Sequence, residues 1–210
     1  IIDVGAHKGE FLEKMLKIEK VNSFYAFEPQ KDIFDILNQK FSKNNKITLL
    51  NYALDKEITN KNLQINKFSM TSSLAEINEK SLYLKLKNFL TRSKSNFVDE
   101  YEVQTNTVDN VFKDVNLEKT LLKIDVEGYE YSVLEGATKT LLSFKPVVMF
   151  ELNQLTLTLS NRSADEYLRF ANDHGYNIFG LEYGYKSELL AINSVEQVDL
   201  ISDLILFPSS

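Results

Sequence analysis

The residues best placed for chemistry begin with Asp3-Val4-Gly5-Ala6-His7-Lys8-Gly9, which joins the apolar run Ile1–Val4 to a stretch of helical period. Glycines in a strand-to-helix turn let the backbone reverse sharply and let a ligand approach it closely. In an open α/β sheet, ligands bind beyond the carboxyl ends of the strands, so this loop belongs at the crevice. A plain glycine-rich turn would read the same way if it stood alone. It does not, because Glu28 closes the next apolar run, Ser23 to Glu28. Nucleotide-binding sheets carry an acid roughly 20 residues beyond such a loop, where its two oxygens accept from both ribose hydroxyls. The loop departs from G-x-G-x-x-G, the pattern that grips a pyrophosphate, since Gly5 and Gly9 flank His7. That spacing favours S-adenosylmethionine (SAM) over NAD.

These residues need a scaffold, and the chain supplies one by alternating short β-branched and aromatic runs with segments of helical period. That is the pattern of a parallel sheet covered by helices on both faces. Ile1–Val4 reads as a strand and Glu10–Glu19 as a helix with Phe11, Leu12, Met15, Leu16 and Ile18 on its apolar side. The strand Ser23–Glu28 follows, then a helix carrying Ile33, Phe34, Ile36, Leu37 and Phe41, and a strand Ile47–Tyr52. From Lys56 to Glu102 the pattern is irregular, with Leu63–Ile65 as a short strand, and this region reads as an insertion over the site. Leu121–Val126 reads as a buried central strand interrupted by Lys123 and ended by acids. A helix Tyr129–Leu142, a strand Val147–Phe150, a helix Ala164–His174 and strands at Tyr176–Leu181 and Leu204–Phe207 complete the alternation. The expected architecture is one doubly wound α/β domain with a mostly parallel, seven-stranded, Rossmann-like sheet.

The runs Asp3 to Phe11, Phe27-Glu28-Pro29, Asn51-Tyr52-Ala53-Leu54, Thr107-Val108-Asp109, Lys123 to Glu130 and Val133-Leu134-Glu135-Gly136-Ala137, in that order and spacing, resemble the FkbM family of methyltransferases. The resemblance implies a class I methyltransferase fold, SAM as methyl donor, and O-methylation of a sugar or natural-product hydroxyl. Beyond Glu151 the match is in outline only. Carried over to these positions, the resemblance places Asp3, Gly5, Ala6, His7 and Gly9 at the methionine end of SAM, Glu28 at the ribose, and Asn51 with Ala53 beside the adenine. His7 stands where many other methyltransferases have glycine, which favours a role in loop structure over one in chemistry.

Methyl transfer is an in-line displacement, so donor and acceptor must be aligned and the acceptor's proton removed. Asp125 and Glu127 end a buried strand at the lip of the crevice, and carboxylates so placed need a reason because desolvating them is costly. Asp125 is the first candidate to orient or deprotonate an acceptor and a cofactor contact as well. Glu127 is the second, although an acid before Gly128 and a helix equally suits the helix N-terminus. Glu130, in the first turn of that helix, reads as structural. Asp125 with Glu151 and Asn153 suggests Mg²⁺, but without a His or a third committed carboxylate no metal site is assigned.

Other motifs read as scaffold. Asp109 suits an N-cap for a short helix at Val111–Phe112, and His174 before Gly175 suits a helix C-terminus. Ser72-Ser73-Leu74 resembles a serine pair near the family's site but equally suits a polar loop. Tyr183 and Tyr185 would stack on a sugar ring or stand exposed between strands.

With 210 residues, 43% hydrophobic and 26% charged, the chain has the content of one globular domain. A net charge of −6 and a pI near 5.1 argue against nucleic acid as partner and for a small-molecule or glycan acceptor. The absence of cysteine suits a reducing compartment, and the cytoplasm is the expected address. No segment has the roughly 20 apolar residues of a membrane span. The chain opens on Ile1-Ile2-Asp3-Val4 in place of Met, which suggests a segment preceding it. Oligomeric state is left open. Two other functions are carried forward: a non-catalytic binding or assembly domain, whose site residues would have drifted, and an NAD-type oxidoreductase, which would need the missing phosphate loop.

Overall fold

A computed structural model describes residues 1–66, 97–153, 157, 161–182, 188–194, 197 and 201–209. Ser72, Ser73, Tyr183 and Tyr185, singled out above, lie outside the described residues. The chain forms two compact units, Ile1–Thr59 with Gln104–Ser210, and Asn60–Val103.

In the first unit, β1 (Ile2–Val4) leads into α1 (Glu10–Met15), β2 (Phe24–Phe27), α2 (Lys31–Phe41), β3 (Ile47–Leu50) and β4 (Ala53–Leu54). In the second, β5 (Asn60–Asn66) lies hydrogen-bonded beside β6 (Phe97–Asn106), and Asn60 donates to Glu102 at 3.2 Å. The last residues of β6 return to the first unit, where Thr105 and Asn106 pair with Ala53 and Leu54. There follow α3 (Val108–Val111), β7 (Leu121–Ile124), α4 (Glu130–Glu135), α5 (Thr138–Phe144), β8 (Val147–Asn153), α6 (Ala164–Asp173), β9 (Tyr176–Glu182), β10 (Glu188–Ala191) and β11 (Ile201–Pro208).

Eight strands make one sheet in the order β10-β9-β11-β8-β7-β1-β2-β3. Parallel pairing joins β3, β2, β1, β7 and β8, while β11 runs against β8 and β9, and β10 against β9. The doubly wound, mostly parallel sheet is the one expected, with β10 added at one edge. Every residue of β10 is exposed, so it carries no buried face by which the sequence would announce a strand.

Period-two alternation sends successive side chains to opposite faces. On one face Phe24 and Ala26 pack with Ala6, Leu12, Leu37 and Phe41 under α1 and α2. On the other, Ile2, Val4, Phe27, Leu122, Ile124, Val148 and Phe150 pack with Val108, Leu134, Leu141 and Tyr167. Each such fully buried side chain contributes about 1.5–3 kcal/mol. The same alternation leaves Asp3 and Lys123, paired in register across β1 and β7, on the face beneath α1.

Two helices differ from expectation. α1 stops at Met15, where Lys17 and Ile18 turn back to Lys14 and Met15 in the tighter i−3 pattern, and Ile18 is exposed. The expected helix Tyr129–Leu142 is two helices. The Asp109 carboxylate accepts from the N–H groups of Lys139 and Thr140 at 2.9 and 2.8 Å, and the Asp109 N–H donates to the Gly136 carbonyl at 3.0 Å. Bonds that would continue α4 into α5 are thereby diverted to Asp109. No described helix is long and apolar enough to cross a membrane.

Candidate functional site

The chain order reverses between β1 and β7, which makes their carboxyl ends the switch point where a crevice opens. The Gly5 and Ala6 N–H groups both donate to the Phe27 carbonyl, at 3.0 and 2.9 Å, which ties the loop after β1 to the end of β2. Gly5 has φ +80°, and a Cβ there would lie 1.9 Å from the Asp125 carbonyl oxygen. Gly9, at φ +86°, opens α1 where a Cβ would lie 2.3 Å from the Phe41 ring. Both positions demand glycine on two counts, conformation and space.

His7 adopts φ +48°, the left-handed region that explains why glycine suits this position in other loops. Its imidazole is half exposed, with Nδ1 3.5 Å from Glu10. Its backbone N–H donates to Glu28 Oε2 at 3.0 Å, and the Gln30 N–H donates to Oε1 at 2.8 Å. Burial pushes the Glu28 carboxyl above its usual range, opposed by those two backbone donors. A carboxylate has about four acceptor sites, so each oxygen retains capacity for a hydroxyl. Asn51 spends its amide on the carbonyls of Glu28 and Pro29, at 2.8 and 3.2 Å, and so straps the end of β2 to the segment leading into β4, where Ala53 sits.

Asp3 is fully buried, and apart from its ion pair with Lys123 neither oxygen meets a hydrogen-bond donor among the described residues. Burial, the largest influence, pushes its pKa up, and Lys123 opposes this. Lys123 Nζ stands 3.0 Å from Asp3 and 3.2 Å from Asp125, and it donates to the Gly5 carbonyl at 3.3 Å. Sequence reasoning assigned Lys123 no role. The signal was present as a single cation in the apolar run of β7.

Beyond β7 the chain turns through Asp125–Gly128, with Glu127 at φ +53° and Gly128 at φ +106°. Glu130 organises this turn: its buried carboxylate accepts from Val126 N–H at 3.2 Å and from Gly128 N–H at 3.1 and 3.0 Å. Burial pushes its pKa up to about 7, against the pull of those donors. Glu127, exposed as a residue but with its carboxyl partly buried, is also pushed up, by that burial first and then by the neighbouring charges of Asp125 and Glu151. Its side chain makes none of the bonds that close the turn. Asp125 is partly exposed, with one oxygen facing Lys123.

The expected N-cap at Asp109 belongs instead to Thr107, whose hydroxyl accepts the Asn110 N–H at 3.0 Å, while Asp109 caps α5. His174 closes α6, its Nδ1 2.7 Å from the Phe170 carbonyl, and Gly175 follows at φ +70°. No group of three or more His, Cys, Asp or Glu side chains among the described residues is placed to hold a metal ion.

The methyltransferase FkbM domain model matches residues 3–178. The chain belongs to the FkbM methyltransferase family. Among solved structures it is similar to the methyltransferase FkbM of Methylobacillus flagellatus KT, with TM-score 0.56 and 17% identity over 98% of this chain and 42% of that one. It thus spans under half the length of that relative. It is also similar to the precorrin-6y C5,15-methyltransferase of Geobacter metallireducens GS-15, with TM-score 0.49 and 10% identity over 99% of this chain and 78% of that one. A comparison with curated proteins gives no significant match.

The donor that the family implies fits the residues present. SAM brings an ammonium and a sulfonium, and the switch point offers the partly exposed carboxylate of Asp125, backed by the buried Asp3–Lys123 pair. Gly5 and Gly9 set the turn that closes β1 against the Asp125 carbonyl and α2, and Glu28, whose oxygens keep acceptor capacity, suits a ribose diol.

Proposed function

We propose that this FkbM-family chain transfers the methyl group of SAM to a hydroxyl of a sugar, glycan, glycolipid or related metabolite. The observation that carries the reading is the charge pattern at the switch point, where Asp3 and Asp125 share one compensating cation, Lys123, and Glu127 adds a further acid within the field of Asp125. Surplus negative charge suits a cationic donor and disfavours a pyrophosphate, and it leaves a carboxylate for the acceptor's proton.

When bound, SAM supplies an electrophilic methyl group. Asp3, Gly5, Ala6, His7 and Gly9 hold its methionine end, Glu28 its ribose, and Asn51 with Ala53 border its adenine. Asp125, fixed by Lys123, orients the acceptor hydroxyl. Glu127 takes the hydroxyl proton onto a carboxylate oxygen, a role that its raised pKa favours because a stronger base transfers protons more effectively near neutral pH. The cysteine-free composition suits a cytoplasmic enzyme.

Incubation with methyl-labelled SAM and a panel of sugars, glycans and glycolipids, each beside deoxy analogues lacking one hydroxyl, tests the acceptor class. Label on a parent acceptor that disappears in one deoxy analogue supports the reading. Transfer confined to amine or carbon acceptors would refute O-methylation.

A further inference from the structure

Lys123 is an unusual occupant of a central strand. Its side chain is 12% exposed, its flanking residues Leu122 and Ile124 are fully buried, and its ammonium lies 5.6 Å from the centre of the Phe11 ring. An ammonium has three donors, and three oxygens stand within reach: Asp3 on β1, the Gly5 carbonyl in the loop, and Asp125 at the lip of β7. One cation against two carboxylates leaves this cluster one negative charge in surroundings where charge is poorly screened. SAM carries one more positive charge than S-adenosylhomocysteine, its demethylated product.

We propose that Lys123 is a positioning residue that sets the charge of the donor site, holding Asp3, Asp125 and the Gly5 turn together and fixing how far the site prefers SAM over S-adenosylhomocysteine. The inference rests on SAM being the donor. A full second negative charge at the cluster would hold the cationic donor tightly but would also widen the gap between donor and product. Lys123 moderates that gap while supplying the bonds that keep the two strand ends in register. It acts through the carboxylates, and no contact of its own with the reacting atoms is required.

Calorimetric titration of the whole chain with SAM and with S-adenosylhomocysteine, repeated from about pH 8 to about pH 9.5 so that the buried Asp3, deprived of its cation in the variants, is ionised along with Asp125, tests this. In Lys123→Met the ratio of the two dissociation constants shifts toward SAM by about fivefold or more, the order expected for one unit charge at an effective protein dielectric. Lys123→Gln, which retains a hydrogen-bond donor, carries the same expectation where the Met variant does not fold. The double variant Lys123→Met with Asp125→Asn removes one charge of each sign, and its ratio returns to within about twofold of the parent. Equal weakening of both ligands, with the ratio unchanged in the single variants, would show a packing role alone and overturn the proposal. A parent chain that binds neither ligand would overturn the donor assignment along with it.

Discussion

Asp125 and Glu127 are two residues apart and both are acids, yet their surroundings differ, and the proposed roles follow that difference. Asp125 is held by the Lys123 ammonium at 3.2 Å, which fixes its orientation. Among the described residues Glu127 is in no ion pair, and partial burial together with Asp125 and Glu151 raises its pKa above the ordinary 4.5, against a weaker opposing pull from His7. A base works in its ionised form, so turnover falls as pH drops through that raised value, and the acidic limb lies above 4.5. In Glu127→Gln, kcat falls about 100-fold or more and the acidic limb disappears, as a pH–rate profile with a competent acceptor would show. A Glu127→Gln enzyme that keeps both its rate and its limb would move the base elsewhere. The acids stand out in the sequence because they follow directly on a buried strand. The difference in their surroundings does not, since it depends on Lys123, whose partner Asp3 is distant in sequence and adjacent only across the sheet.

At the scale of elements, the turn from β7 into α4 depends on Glu130. Its folded pKa of about 7 stands above the ordinary 4.5, so the folded chain holds this proton more tightly than the unfolded chain does. The resulting stabilisation is full below about pH 4.5 and fades as pH rises through about 7. Glu130→Gln, whose amide oxygen can still accept from Val126 and Gly128, removes that dependence. Between about pH 4.5 and 7.5 the parent loses on the order of 3 kcal/mol more stability than this variant, read from denaturant unfolding. Identical slopes would show that Glu130 is not a titrating latch. Element existence followed well from periodicity, as the helix Lys31–Phe41 illustrates, because its apolar residues recur at helical spacing. The break between α4 and α5 was hidden because its cause, Asp109, comes from another part of the chain. β10 was hidden for the opposite reason, having no buried face to impose a pattern.

At the scale of the whole molecule, the sheet order places β1 and β7 side by side with their carboxyl ends at the reversal of chain order. That single topological fact brings together residues separated by more than half the sequence: the glycine loop, Glu28, and the acids beyond β7. The fold class was readable from alternation alone, whereas the donor followed from the loop spacing and from the family to which the chain belongs. Calorimetry of the parent chain with SAM, S-adenosylhomocysteine and NAD in parallel tests the central claim. The arrangement predicts micromolar binding of SAM and S-adenosylhomocysteine and none of NAD. Binding of NAD without either adenosyl ligand would contradict it.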